Sequence, residues 1–357
     1  MKTYIYFLCV TFVKSFINIF LIMLSLVFIL NILKEIEFFN VTDVSILYPI
    51  YLSMMNTPSQ IFEMFPFIFL ISTQFFFIKL FNNNEINIFK YSGLNNFRII
   101  NILSALSFFI GILIITLFYN LSSNLQKHYL EIKNQYSNDK SYLAVINKNG
   151  LWIKDIVNKN INIINSGGIK NNFLADTFIT TFNENYEPIR NIKSKKIDIT
   201  SNDWLIYDAT IFEENEKKNI EIFEFQSNFN LKKIKSLFSN LSSLSIFQLL
   251  DLRENYKALN YSIVEVDIQL NKIFTYPIYL VLMTIISSII MFNTKRFKSS
   301  TLKIVIGLFF SVIIYYISNF FNVMGNTERI SLYVAIWSPI LFLTIINSLM
   351  LLRINEK

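Results

Sequence analysis

IINILSALSFFIGILIITLFYNLSSNLQ, residues 99–126, carries no charged side chain from end to end. A helix crosses the roughly 30 Å hydrocarbon core of a bilayer with about 20 residues, so this stretch is long enough to span one. Lys127 closes it, and from residue 127 to residue 272 the chain is polar and broken into short apolar runs. Uncharged runs lie on both sides: residues 15–33 and 64–78 before it, and 273–294, 304–327 and 330–352 after it. The run at 64–78 is short, and it spans if the helix extends past Glu63 and Lys79, whose long side chains reach the interface. The expectation is a membrane protein of six transmembrane helices with a large insert between the third and the fourth.

Composition agrees. The chain is 53% hydrophobic and 16% charged, and its mean hydropathy of +0.44 excludes an ordinary soluble globular protein of 357 residues. Its 37 Phe and its many Ile, Asn and Lys read as AT-rich codon bias, so the net charge of +7 is a solvated lysine excess and no argument for nucleic acid. Cys9 is the only cysteine and His128 the only histidine, which rules out a disulfide framework or a Cys/His metal site within one chain. Cys9 lies in an apolar run without a lipobox and reads as packing, and His128 reads as an interfacial residue. The first span is too long for a signal peptide and is followed by Lys34-Glu35, so it is expected to stay attached.

Orientation follows from the short loops. Lys2 and Lys14 precede or open the first span, Lys79, Lys90 and Arg98 lie between spans two and three, and Lys295, Arg296, Lys298 and Lys303 between spans four and five. Positive loops stay in the cytoplasm, which puts both termini there and residues 127–272 outside. That segment is long enough for its own core. Runs at 142–146, 151–154, 178–182, 204–207 and 220–225 alternate with period two, punctuated by Asn149-Gly150, Gly167-Gly168 and Asn183-Glu184-Asn185, which predicts a β sandwich or jelly roll. Ser245-Ile246-Phe247-Gln248 matches a capping box that opens a helix through about Ala258.

No Walker loop, His-Glu zinc pair or nucleophile elbow is present, so the chain is not expected to hydrolyse ATP. The informative loop is Asn84-Glu85-Ile86-Asn87-Ile88-Phe89-Lys90-Tyr91-Ser92-Gly93-Leu94. Ile86, Phe89 and Tyr91 suit a short interfacial helix with Gly93 as its stop, and Glu85 suits the positive end of its dipole; a plain connector helix would look the same.

Taken together, these features resemble the lipopolysaccharide-export ABC transporter permease family of the LptF/LptG type. Pro58, Ile61, Glu63 and Pro66 resemble its proline-flanked second helix, Glu85 and Gly93 its coupling helix, and Lys272-Ile273-Phe274 with Pro277 the start of its fourth helix. Gly150-Leu151-Trp152-Ile153-Lys154-Asp155 and Phe182-Asn183-Glu184-Asn185 are similar to strands of its jellyroll, nearer to LptG. Two features depart from the pattern: the paired glycines of the fifth helix stand here as Gly307 and Ser311, and the basic outer end of the first helix is reduced to Lys34 between acidic neighbours.

The resemblance implies a membrane α-helical fold with an inserted all-β, jellyroll-like periplasmic domain. Residues 1–126 would form helices one to three with a coupling helix near 84–93, residues 127–272 the periplasmic domain, and residues 273–357 helices four to six. It implies an inner-membrane, multi-pass permease subunit without a cofactor or bound metal, which is not itself an enzyme. Its partners would be a cytoplasmic ATPase dimer, a related permease subunit, a periplasmic jellyroll bridge protein and lipopolysaccharide. Glu85 and Gly93 would carry ATPase coupling, and Lys34 and Trp152 would contact lipid. Helices one and five would form the gate with the partner subunit. Two rivals remain at this point: a membrane-anchored periplasmic binding or scaffold protein, for which six helices are more than anchoring needs, and a membrane glycolipid transferase, which would want charged groups at the membrane face.

Overall fold

The computed structural model describes residues 3–40, 45, 47–136, 151–170, 172–213, 216–231, 234, 240–258, 262–294 and 299–355. The expected strand at 142–146, the Asn149-Gly150 turn and the loop basics Lys295, Arg296 and Lys298 lie outside them. The chain divides into two compact units, Met1–Tyr129 with Val264–Lys357, and Leu130–Ile263.

The first unit is helical: α1 (Thr3–Phe39), α2 (Leu47–Asn82), the short α3 (Glu85–Tyr91), α4 (Asn96–Leu113), a π-helical turn (Ile114–Tyr119) running into α5 (Asn120–Tyr136), α7 (Val264–Asn293), α8 (Ser300–Asn326) and α9 (Leu332–Asn355). Six helices are long and apolar enough to cross a membrane, with α4, the π turn and α5 forming one of them. The short second run does extend, because α2 continues through Glu63 and Lys79 to 36 residues.

Between helices in lipid there is little hydrophobic drive, so close packing and interhelical hydrogen bonds hold them together. Phe12, Phe16 and Phe20 of α1 interleave with Phe65, Phe69 and Phe76 of α2 at ring-centroid distances of 5.0 to 6.4 Å. α7 is the central helix. Ser287 Oγ donates to the Leu70 carbonyl of α2 at 2.7 Å, Thr284 and Ser107 of α4 share a hydroxyl bond of 2.9 Å, and Asn347 of α9 donates to the Leu282 carbonyl at 3.1 Å. A Cβ on Gly111 would lie 3.0 Å from Pro277 Cα, so only glycine lets α4 and α7 approach this closely. Pro66 lacks the N–H that the Phe62 carbonyl one turn earlier would accept. The Tyr276 hydroxyl of α7 donates to that carbonyl instead.

The second unit holds one antiparallel sheet in strict chain order: β1 (Leu151–Val157), β2 (Asn160–Lys170), β3 (Phe173–Phe182), β4 (Pro188–Asp198), β5 (Asp203–Glu213) and β6 (Glu216–Gln226). Asn158 and Lys159, both at positive φ, form the two-residue β1–β2 turn. The Asn183 side chain caps the β3–β4 turn by accepting from the Asn185 and Glu187 amides, each at 2.9 Å. Gly167-Gly168 is not a turn, contrary to the sequence reading, but lies inside β2.

Its role is a crease. In β2 to β6 pairing is interrupted along a line through Gly167, Asp176, Lys195, Asp208 and Glu221, with Ser194 and Ala209 also left out between β4 and β5, and without a slip in register. Asp176 and Asp208 turn there through left-handed backbone, at φ 47° and 48°, which Asp tolerates better than most residues. Across the crease the buried positions change parity: Ile179 and Thr177 give way to Leu174, Ile192 and Ser194 to Ile197, Ile211 and Ala209 to Ile206 and Trp204. The sheet thereby bends across its own strands. The expected jellyroll-like insert is therefore one bent sheet.

After the sheet, α6 (Ile246–Ala258) opens on the expected capping box: Gln248 Oε1 accepts from the Ser245 amide at 2.9 Å, and Ser245 Oγ from the Gln248 amide at 3.4 Å. On its exposed face Lys257, followed by Arg253, holds the Glu254 carboxyl below its usual value; this is a solvated charge cluster.

Candidate functional site

The loop between α2 and α4 is built around α3. Leu94 N–H donates to the Phe89 carbonyl at 2.9 Å and Gly93 N–H to the Lys90 carbonyl at 3.0 Å, the two bonds of a Schellman stop, with Leu94 buried as its apolar contact. Gly93 sits at φ +79° with nothing within 4 Å of a Cβ, so backbone conformation rather than space demands glycine. Glu85 occupies the first turn and accepts from Asn83 Nδ2 through Oε1 at 3.1 Å, while its Oε2 is buried without a hydrogen-bond partner. Ile86 is the anchor of this helix, and Phe89 packs on Phe7 of α1 at 6.0 Å. Tyr91, read from sequence as part of the apolar face, is 92% exposed, and Ile88 is exposed one turn before it. The loop thus offers two apolar side chains outward, beside a half-buried carboxylate in the first turn.

Glu85 and Gly93 belong to one local structure, and the other two candidates lie elsewhere. Lys34 is exposed on α1, 27 residues beyond the Phe7 that meets α3, which is about 40 Å along a helix. Trp152 is 58% exposed on the outer face of β1, in one register row with Asn165 and Phe178. Among the described residues β1 pairs on one side only, with β2.

Sequence reading missed a polar stripe on α1. Asn31 Nδ2 donates to Thr57 Oγ1 of α2 at 3.1 Å, and Asn56 Nδ2 lies 3.4 Å from Asn31 Oδ1. One turn on, Glu35 is only 1% exposed, and its Oε1 accepts from the Tyr129 hydroxyl of α5 at 2.8 Å. Glu35 was read as an acidic neighbour of Lys34 in a loop; helix α1 runs past both to Phe39, burying Glu35 and leaving Lys34 exposed. The four-residue spacing of Asn31 and Glu35 was the available signal.

The departure in the fifth long helix is resolved by geometry. A Cβ on Gly307 of α8 would fall 2.1 Å from Gln74 Nε2 of α2, and Gln74 Nε2 donates to the Lys303 carbonyl at 2.8 Å. Ser311 is buried and returns its hydroxyl to the Leu308 carbonyl at 2.8 Å, so its added atom finds a partner. Along their most apolar stretches only 17% of α1 and of α8 is buried, which leaves both with open apolar faces. Among the described residues no three His, Cys, Asp or Glu side chains are placed to hold a metal ion.

One family model, described as lipopolysaccharide export system permease LptF/LptG, matches residues 7–353. No curated protein matches the chain.

Proposed function

This chain belongs to the lipopolysaccharide export permease family, LptF/LptG, and from that premise we propose that it is one permease subunit of an ABC transporter that lifts lipopolysaccharide out of the inner membrane. The observation that carries the reading is the family match over nearly the whole chain, together with six apolar helices divided by a β insert. Both termini and α3 face the cytoplasm, and the insert is periplasmic. Residues 1–126 and 273–357 form the membrane part, and residues 127–272 the periplasmic domain. Each acyl methylene contributes about 0.8 kcal/mol to membrane retention, so a multi-chain lipid needs an apolar surface in place of the bilayer before it leaves. The open faces of α1 and α8 supply it, shared with a related permease subunit. Lys34 meets lipid phosphate, and Trp152 and its strand pass lipid toward a periplasmic jellyroll bridge.

Energy arrives from a separate ATPase dimer, which docks on α3. Glu85, half shielded and with a free carboxylate oxygen, pairs with a basic side chain of the ATPase, and Gly93 returns the chain sharply to α4. Truncating one member of a buried charge pair costs about 2 to 5 kcal/mol. In a purified complex reconstituted into proteoliposomes, Glu85→Lys should release the ATPase or uncouple hydrolysis from lipid release, whereas Lys90→Ala should do much less. A Glu85→Lys complex that assembles and exports at the normal rate removes the coupling assignment. A wild-type chain that retains no ATPase and releases no lipid removes the transporter reading itself.

A further inference from the structure

The first strand of the insert carries a carboxylate where its pattern calls for an apolar side chain. The inner face of β1 reads Leu151, Ile153, Asp155, and Asp155 is 0% exposed. A carboxylate there is costly unless donors surround it. Ser227 Oγ donates to Oδ2 at 2.7 Å, the Asn228 amide to Oδ2 at 3.1 Å, and Asn228 Nδ2 to Oδ1 at 2.9 Å. Asn228 Nδ2 also donates to the Ile156 carbonyl at 2.8 Å, and at the rim Asn158 Nδ2 lies 3.5 Å from Gln226 Oε1.

These bonds join two edges that are not ladder partners, since β1 pairs with β2 and β6 with β5. The contacts also join opposite ends of the sheet. Asp155 stands near the β1–β2 turn, whereas Ser227 follows β6 at the end where β4 meets β5. Curvature of the sheet brings the two together. Beyond Asn228 the chain is a strap: Phe229 is buried, its carbonyl accepts from Trp204 Nε1 at 2.7 Å, and Leu231 N–H donates to the Ile199 carbonyl at 2.6 Å. The strap is therefore fastened to one half of the sheet by β5 and the β4–β5 turn, and to the other half by Asp155.

We propose that the insert is a hinged device, with the row from Gly167 to Asp208 as its hinge and Asp155 as the positioning residue of a reversible latch. Parting Asp155 from Ser227 and Asn228 breaks no strand pair, because every strand–strand junction is a backbone ladder and the latch is side chain to strap. The residues left out of the ladder concentrate bending in one line. Opening uncovers the Ile153, Ile164, Ile179 and Ile192 face to an apolar ligand. The latch is a property of the insert, and its use in passing lipid rests on the function proposed above.

The test uses the full chain in its complex, with Cys9→Ala and a reporter at Ile153→Cys. Asp155→Asn keeps the shape but replaces one acceptor oxygen, and it should raise maleimide labelling of the reporter on the order of tenfold. Hydrogen exchange of the β3–β4 ladder should stay unchanged. Unaltered labelling, or ladder exchange that rises in step with it, overturns the latch. In a second arm Asn158→Cys and Gln226→Cys, both exposed and neither touching Asp155, are tied with a short reducible bismaleimide. Tying should halt lipid release and reduction should restore it. A tied complex that releases lipid at the untied rate overturns the use in transport. A complex that releases none before tying faults the transporter reading, and the labelling arm still decides the latch.

Discussion

Gln74 and Gly307 form a pair in which each residue explains the other. Gly307 has no side chain because the Gln74 amide fills its place, and the amide sits there because the Lys303 carbonyl accepts from it. Gly307→Ala should push the amide off that carbonyl, and Gln74→Ala should remove it. Interhelical hydrogen bonds in membranes contribute about 0.6 to 2 kcal/mol, so each single change should destabilise by that order. The double variant should cost clearly less than the sum, because the added methyl then enters the space the amide has left. Unfolding of the purified complex in graded denaturing detergent measures this. Additive losses would mean that the two residues act separately. Lys34 poses a different residue-scale question, since its exposed ammonium suits either a lipid phosphate or any headgroup reached by snorkelling. Lys34→Glu should weaken lipid-stimulated ATPase activity of the complex more than Lys34→Gln, and equal, unimpaired activity would leave only the snorkelling role.

At the scale of elements, α2 shows how a helix keeps prolines in its interior. Pro66 frees the Phe62 carbonyl, and Tyr276 supplies the missing donor while its ring stacks on Phe62 at 4.7 Å. Tyr276→Phe keeps the stack and leaves the carbonyl buried and unpaired, a loss of about 1 to 3 kcal/mol. Tyr279→Phe gives up only a 3.4 Å contact with Ser318 and should cost less in the same detergent unfolding measurement. Equal losses would show that the Phe62 carbonyl had another donor. The element scale also divides what was legible in the sequence from what was not. The spans were legible because lipid forbids charge along them, and the α6 capping box and the α3 stop because each is a local pattern of side chains. β2 and β4 were not. β2 carries Asn between its isoleucines and a glycine pair that mimics a turn, and β4 carries Lys193, Lys195 and Lys196 on its outer face. The crease then shifts the period-two pattern by one residue within single strands, so alternation fails where the sheet bends. Asp155, Glu35 and Gln74 were illegible for a further reason: their partners lie 72, 94 and 229 residues away.

In the helical unit, charge and length both support the proposed orientation. α1 is 37 residues, about 55 Å of helix against roughly 30 Å of hydrocarbon, so its ends project from the apolar slab. At its N-terminal end Phe7 meets α3, in the loop that carries Lys79, Lys90 and Arg98. Lys303, the last basic residue counted between spans four and five, is enclosed within the first turn of α8, with its ammonium 5.2 Å from the Phe81 ring at the end of α2. That contact joins the two positive loops at one end of the helical unit, as a common cytoplasmic face requires. With Cys9→Ala as background, single cysteines at Ser92 and Ser299 should therefore react with an impermeant maleimide only from the cytoplasmic side. One at Asn185, exposed in the β3–β4 turn, should react only from outside. An Asn185 probe that labels solely in inside-out vesicles would put the insert on the cytoplasmic side and overturn the proposed orientation. Labelling of positions 92 and 299 from opposite faces would break the six-span arrangement independently, because an even number of crossings separates them.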